Sequence, residues 1–191
     1  TFAHMNKQAD EWVTNTETVV YDNAWISVSH REVTAPTGND GIYGVVHFKN
    51  RAMAILPIDD EGKIWLVGQH RYPLNQYSWE LPEGGAPMGE SLLGAAQREL
   101  REETGIVAGL WTSLLQAHLS NSVSDEYAVA YIARQLSFTT TEPDETELIK
   151  IKKVPLAEAV SMAMDGVITD ALSMVCLMKL KLLVESKQIT L

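Results

Sequence analysis

The chain is 191 residues long, 46% hydrophobic and 21% charged, a globular composition with room for one main domain and an added subdomain. A formal charge of −10 with no basic stripe argues against nucleic acid as a partner. It leaves open a small anionic substrate, because bound metal ions reverse the local sign.

Thr1-Phe2-Ala3-His4-Met5 reads as an added scar before a natural Met5, and residues 6–16 as a mobile or loosely helical start, so that 1–16 together precede the ordered chain. Order is expected from Glu17. Thr18–Tyr21 and Ile26–Val33 alternate with period two around an Asp22-Asn23-Ala24 turn, and Gly38-Asn39-Asp40-Gly41 leads to a third strand over Ile42–Lys49. Residues 17–50 thus form a small antiparallel sheet, and the main domain spans 51–191. Ala52–Ile58 and Lys63–Gln69 read as core strands joined as a hairpin by Asp59-Asp60-Glu61-Gly62. His70-Arg71-Tyr72-Pro73 leaves the second strand, and Tyr77–Pro82 is a short extended segment.

Residues 84–106 read as a loop feeding an acidic helix that runs from about Glu90 to Thr104. Within it, Glu99, Glu102 and Glu103 stand at i, i+3 and i+4, so their carboxylates share a face, while Leu92, Leu93, Ala96 and Leu100 form an apolar stripe opposite. Like charges at that spacing repel, and a divalent cation with a preference for oxygen would offset the repulsion.

Beyond the helix, Leu110–Leu119 and Glu126–Gln135 read as strands around the turn-rich segment 120–125. Thr139–Glu147 is a polar, acidic loop, and Leu148–Val154 is a half-exposed strand. Pro155 starts a helix over Leu156–Met164 that Gly166 stops, and Asp170 caps a last helix reaching Glu185. Cys176 lies in the apolar run Leu172–Met178 and is expected to be a buried core thiol. There is neither an apolar run of membrane-spanning length nor a signal peptide, so a cytoplasmic protein without a membrane partner is expected.

The stretch from Gly84 resembles the Nudix box, G-x5-E-x7-R-E-U-x-E-E-x-G-U with U apolar. Gly84, Glu90, Arg98, Glu99, Leu100, Glu102, Glu103, Gly105 and Ile106 fill every fixed position. The resemblance implies an α/β class chain, a Nudix-type α/β/α sandwich with a mixed sheet, preceded by the N-terminal antiparallel sheet. In the nucleoside diphosphate sugar branch such a sheet builds a homodimer, often by exchange between subunits. The resemblance also implies Mg2+-dependent hydrolysis of a diphosphate, with Mn2+ as a substitute, in which Glu99 and Glu103 are the principal metal ligands. Glu102 stands in or near the same shell, and Glu83 contributes its carbonyl oxygen. Arg98 and Glu90 orient the carboxylates.

Further expectations come from the branch. Glu145 in Asp144-Glu145-Thr146-Glu147 matches its general base and Glu147 a supplementary ligand, whereas a solvated acidic loop is the competing reading. Arg71 matches an arginine on the diphosphate, with a surface salt bridge as the competing reading, and Glu80 would meet substrate or a dimer partner. ADP-ribose hydrolases carry a pattern like Ser-Pro-Gly-x-Ser-x-Glu after the box. Ser120, Ser124 and Glu126 fit it, but Asn121 and Ser122 do not. The expected substrate is therefore a nucleoside diphosphate sugar, contacted by Arg71, Glu80 and Ser124, with ADP-ribose as the alternative. A non-catalytic nucleotide-binding module is the reading from another class, and loss of a box glutamate would favour it.

Overall fold

The computed structural model of the chain describes residues 11–141 and 148–190. The expected scar, Glu145 and Glu147 lie outside the described residues. The chain divides into two compact units.

The first unit takes the described residues up to Lys49 together with Ser120–Glu126. Its sheet has the order β1-β2-β3, all antiparallel, with β1 over Val13–Asp22, β2 over Ile26–Thr34 and β3 over Asp40–Phe48. Strand β1 begins at Val13, where a loosely helical start was expected. The alternating threonines Thr14, Thr16 and Thr18 suit a pleated strand, and β2 supplies the partner. The Asn23 carboxamide oxygen makes the first turn by accepting from the N–H groups of Trp25 and Ile26, both at 2.8 Å. Segment 120–126 joins β3 through Val46 N–H to the Val123 carbonyl at 2.8 Å, and the Asp125 carboxylate accepts from His47 Nδ1 and from Phe48 N–H. Val19, Val20, Tyr21, Trp25 and Ile42 are all exposed on this unit.

The second unit, Asn50–Leu119 with Tyr127 onward, holds the box. A four-stranded mixed sheet runs β7-β4-β9-β8, with β7 over Glu83–Pro87, β4 over Asn50–Pro57, β9 over Tyr127–Phe138 and β8 over Ile106–His118. Strands β4 and β9 are parallel and the other pairs antiparallel. A second, antiparallel sheet runs β10-β5-β6, with β10 over Lys150–Pro155, β5 over Lys63–Arg71 and β6 over Gln76–Glu80. Helices α1 (Leu92–Thr104), α2 (Leu156–Met164) and α3 (Ala171–Glu185) complete it.

The expected β4–β5 hairpin does not form. The Asp59–Gly62 turn is there, with Asp59 Oδ1 accepting from Glu61 and Lys63 N–H groups, but apart from one bridge between Ile58 and Ile64 the strands enter different sheets. The reason is burial on both faces of β4. Met53 and Ile55 pack with Ala95, Ala96 and Leu100 of α1, while Ala54 and Leu56 pack with Leu66, Leu172 and Leu177. A strand sealed on both sides belongs inside a sheet, and parallel pairing with β9 puts it there.

Two local expectations also shift. The segment ahead of α1 is a strand, β7, rather than a loop. Helix α1 starts one residue after its Ser91 cap, which accepts from Gly94 N–H, and Gly105 ends it at φ +68° with its N–H on the Arg101 carbonyl. In the packing stripe Leu93 stays exposed and Ala95 takes its place. Cys176 is fully buried, as expected.

Candidate active site

The site is assembled where β7 runs beside α1. Ala96, Leu100 and Glu103, spaced i, i+4 and i+7, lie on the buried face of the helix, so Glu103 continues the core stripe and its carboxylate turns toward the sheet. There Glu103 Oε2 accepts from Glu83 N–H at 3.1 Å. Glu99 stands against Gly84 so closely that a Cβ on that glycine would fall 2.1 Å from the Glu99 carboxyl carbon. With the Glu99 side chain in this position, only glycine fits at residue 84.

Arg98 ties the remaining acidic groups together. Its Nη1 donates to Glu99 Oε1 at 2.8 Å and to Glu102 Oε2 at 3.1 Å, and its Nη2 donates to Glu90 Oε2 and to the Gly85 carbonyl, both at 3.2 Å. One planar guanidinium thus joins three carboxylates and the strand backbone. The Glu90 bond, followed by Glu99 and Glu102 against the cost of burial, holds Arg98 firmly protonated.

A second acidic group lies at the corner between β6 and β7. Glu80 is buried at 2% exposure, its Oε1 facing Arg71 Nη2 at 2.5 Å and accepting from Gln69 Nε2 at 3.3 Å. Burial raises the Glu80 carboxyl above its ordinary value, and Arg71 offsets only part of that rise. The Glu83 carboxyl is pushed well above the usual range, first by burial and then by the neighbouring Asp170 carboxylate. Its Oε1 accepts from the Ser173 hydroxyl at 2.8 Å. Arg71, Ser78, Glu80, Thr169 and Asp170 line a cleft of about 290 Å³.

The expected site residues therefore divide. Arg71, Glu80, Glu83, Arg98, Glu99, Glu102 and Glu103 all lie in the second unit. Ser124 belongs to the first, where its hydroxyl donates to the Ser120 carbonyl at 3.1 Å. Glu145 and Glu147 lie outside the described residues. Asp170 and Ser173 were not foreseen at the site: an Asp-x-x-Ser spacing reads as a helix cap, and nothing in it announces a partner some ninety residues earlier.

The donor set of β7 and α1 is all oxygen, carboxylates and backbone carbonyls, which suits a hard divalent cation. Among the described residues no three His, Cys, Asp or Glu side chains form a ready-made metal group; Glu99 and Glu102 are turned to Arg98 and Glu103 to the Glu83 amide.

The model of the NUDIX domain matches residues 48–172. This chain belongs to the Nudix family. As a Nudix hydrolase it falls in a family that generally uses divalent metal ions. It is 31% identical to ADP-ribose pyrophosphatase of Bacillus subtilis over 80% of this chain and 83% of that one. It is equally identical, at 31%, to ADP-ribose pyrophosphatase of Mycobacterium tuberculosis over 81% of this chain and 75% of the relative. The methanol dehydrogenase activator of Bacillus methanolicus is 28% identical over 93% of this chain and 96% of its own. The crystal structure of an ADP compounds hydrolase superposes with a TM-score of 0.85, covering 95% of this chain and 98% of that one, and at 22% identity it speaks for the fold. The expected mixed α/β architecture with an N-terminal antiparallel sheet is borne out. Among the described residues, no helix is long and apolar enough to cross a membrane.

Proposed function

We propose that this Nudix hydrolase cleaves the diphosphate of a nucleoside diphosphate sugar to a nucleoside monophosphate and a sugar 1-phosphate. The observation that carries the reading is the complete box glutamate set beside β7, with Glu90, Glu99 and Glu102 held by Arg98 and Glu103 on the Glu83 N–H. ADP-ribose, cleaved to AMP and ribose 5-phosphate, is the second reading, and the two ADP-ribose pyrophosphatases at 31% identity favour it. The Asn121 and Ser122 departures weigh the other way.

Glu99 and Glu103 would hold Mg2+, or Mn2+ in its place, with Glu102, Glu147 and the Glu83 carbonyl in support. A divalent ion held there would supply positive charge to the phosphoryl oxygens and would make the attacking water more acidic. The residues of the chain do the rest. Arg98 and Glu90 keep the carboxylates in register. Arg71, whose fork suits phosphate oxygens, turns from Glu80 to the diphosphate, and Glu80 and Ser124 contact the substrate. Glu145 takes the proton of the attacking water as its oxygen bonds to phosphorus and the bridging P–O bond breaks, the electron pair leaving with the departing phosphate.

The chain would act as a cytoplasmic homodimer through the N-terminal sheet. Exposed Val19, Val20, Tyr21, Trp25 and Ile42 support that role, because a second copy would cover them.

The decisive experiment incubates the protein with Mg2+ and ADP-ribose, GDP-mannose, ADP-glucose, UDP-glucose or nucleoside triphosphates, with a chelated control, and identifies the products by chromatography. Metal-dependent release of a monophosphate from the sugar nucleotides is expected. Tight binding without turnover of any compound would instead make the domain a nucleotide-binding module.

A further inference from the structure

Ser173 is a fully buried hydroxyl on the first turn of α3. A serine there is ordinarily silent: its N–H completes the helix cap by donating to Asp170 Oδ2 at 2.7 Å, which needs nothing from its side chain. The hydroxyl is nevertheless spent twice away from its own helix. It accepts from Leu81 N–H at 2.8 Å and donates to Glu83 Oε1 at 2.8 Å. Leu81 and Glu83 bracket Pro82, whose carbonyl accepts from Ile55 N–H of β4 at 2.8 Å. The chain turns from β6 into β7 over those three residues, and α3 grips the turn through one oxygen.

Glu83 is consequently held from three directions. Ser173 holds its carboxylate, Glu103 holds its N–H, and ladder pairing with Ala54 holds its strand. Without the Ser173 bond, the Glu83 carboxyl at this partly buried corner would lose its hydroxyl donor, and a buried Leu81 N–H would lose its acceptor. The peptide would turn to recover them, carrying the Glu83 carbonyl with it.

We propose that Ser173 is a positioning residue that acts through Glu83: it sets the orientation of the β6–β7 corner, and so of the Glu83 carbonyl, for a divalent cation bound by α1. The proposal rests on the metal-dependent hydrolase reading above. Outer partners of metal ligands commonly matter by 10–100-fold in affinity or activity when removed, although they touch neither ion nor substrate.

The test compares wild type with Ser173→Ala, Ser173→Thr, Ser173→Cys, Glu83→Ala and the Ser173→Ala/Glu83→Ala double variant. Mn2+ affinity is measured without substrate by electron paramagnetic resonance, alongside kcat and KM. Ser173→Ala is expected to weaken Mn2+ binding about 10-fold or more and to lower kcat while KM for the nucleotide holds. Ser173→Thr, which keeps the oxygen, should restore most of the affinity, and Ser173→Ala should add little once Glu83 is already alanine. If Ser173→Ala does not fold, the nearly isosteric Ser173→Cys carries the same comparison. A folded Ser173 variant with wild-type Mn2+ affinity, or full additivity with Glu83→Ala, overturns the proposal. A wild type that binds Mn2+ yet hydrolyses none of the nucleotides overturns the hydrolase reading instead and leaves the Mn2+ comparison standing.

Discussion

Gly84 and Glu99 share a space that admits no side chain: a Cβ on the glycine would meet the glutamate carboxyl carbon at 2.1 Å and its Oε1 at 2.4 Å. The obstructing atoms are the far end of a flexible side chain, so the fold can yield where the chemistry cannot. Gly84→Ala is expected to lower stability by only about 1 kcal/mol, the low end for overpacking. Because the carboxylate must move by about an ångström, kcat should fall roughly 100-fold. Thermal unfolding and steady-state kinetics on the same preparation check both halves; an unchanged kcat would show that the Glu99 position is not critical.

Arg98 reaches Glu90, Glu99, Glu102 and the Gly85 carbonyl with one planar group. A lysine ammonium keeps the charge but cannot span those partners. Arg98→Lys should therefore weaken activation by Mg2+ about 10–100-fold, read from the metal dependence of turnover. An activation curve superimposable on wild type would reduce Arg98 to a surface charge.

The Arg71–Glu80 pair predicts a pH-dependent stability. Burial is the main cause of the raised Glu80 pKa, so the folded state binds this proton more tightly than the unfolded chain does. Stability from this group accordingly falls as pH rises from the unfolded carboxylate value through the raised folded one. Arg71→Ala should steepen that fall by about 1–3 kcal/mol near neutral pH, with water screening of the partly exposed arginine favouring the lower figure. Glu80→Gln in the same background should recover most of the loss. Urea unfolding at pH 4.5 and pH 7.5 separates the cases, and equal losses at both would contradict the raised pKa.

Asp59 works in the opposite sense. Burial alone would raise its pKa, but the bond from Lys153 at 2.7 Å and the N–H groups of Lys63 and Glu61 outweigh it, and the net shift is downward. Its contribution is present above the ordinary carboxylate pKa, about 3.9, and is lost as pH falls through the lower folded value. Asp59→Asn is expected to cost about 1 kcal/mol at pH 7 and progressively less toward pH 3. A constant difference between the two proteins across that range would refute the assignment.

For the general base, Glu145→Gln should lower kcat by about 100-fold or more while Mn2+ affinity is retained. Unchanged turnover would remove Glu145 from the mechanism and return its loop to an acidic, solvated role.

The box shows how much of the site was readable in one dimension. Helix periodicity depends on neighbours three or four residues away, so the shared face of the α1 carboxylates followed from spacing alone, and the start expected near Glu90 fell within two residues of the observed one. The short polar turns between β1, β2 and β3 were equally local. Strand partnership was not. The Asp59–Gly62 turn has the residues of a hairpin, but β4 is sealed on both faces, and a uniformly apolar run carries no sign of which strand will lie beside it. The Leu81, Glu83 and Ser173 contacts likewise join positions some ninety residues apart, and Arg71 meets Glu80 only because β5 and β6 pair. Sequence by itself determined the acidic helix and the box pattern of the Nudix family, since helix periodicity and charge spacing are local. Only the tertiary structure decided what grips that helix and its facing strand, because burial and long-range pairing select those partners after the chain has closed on itself.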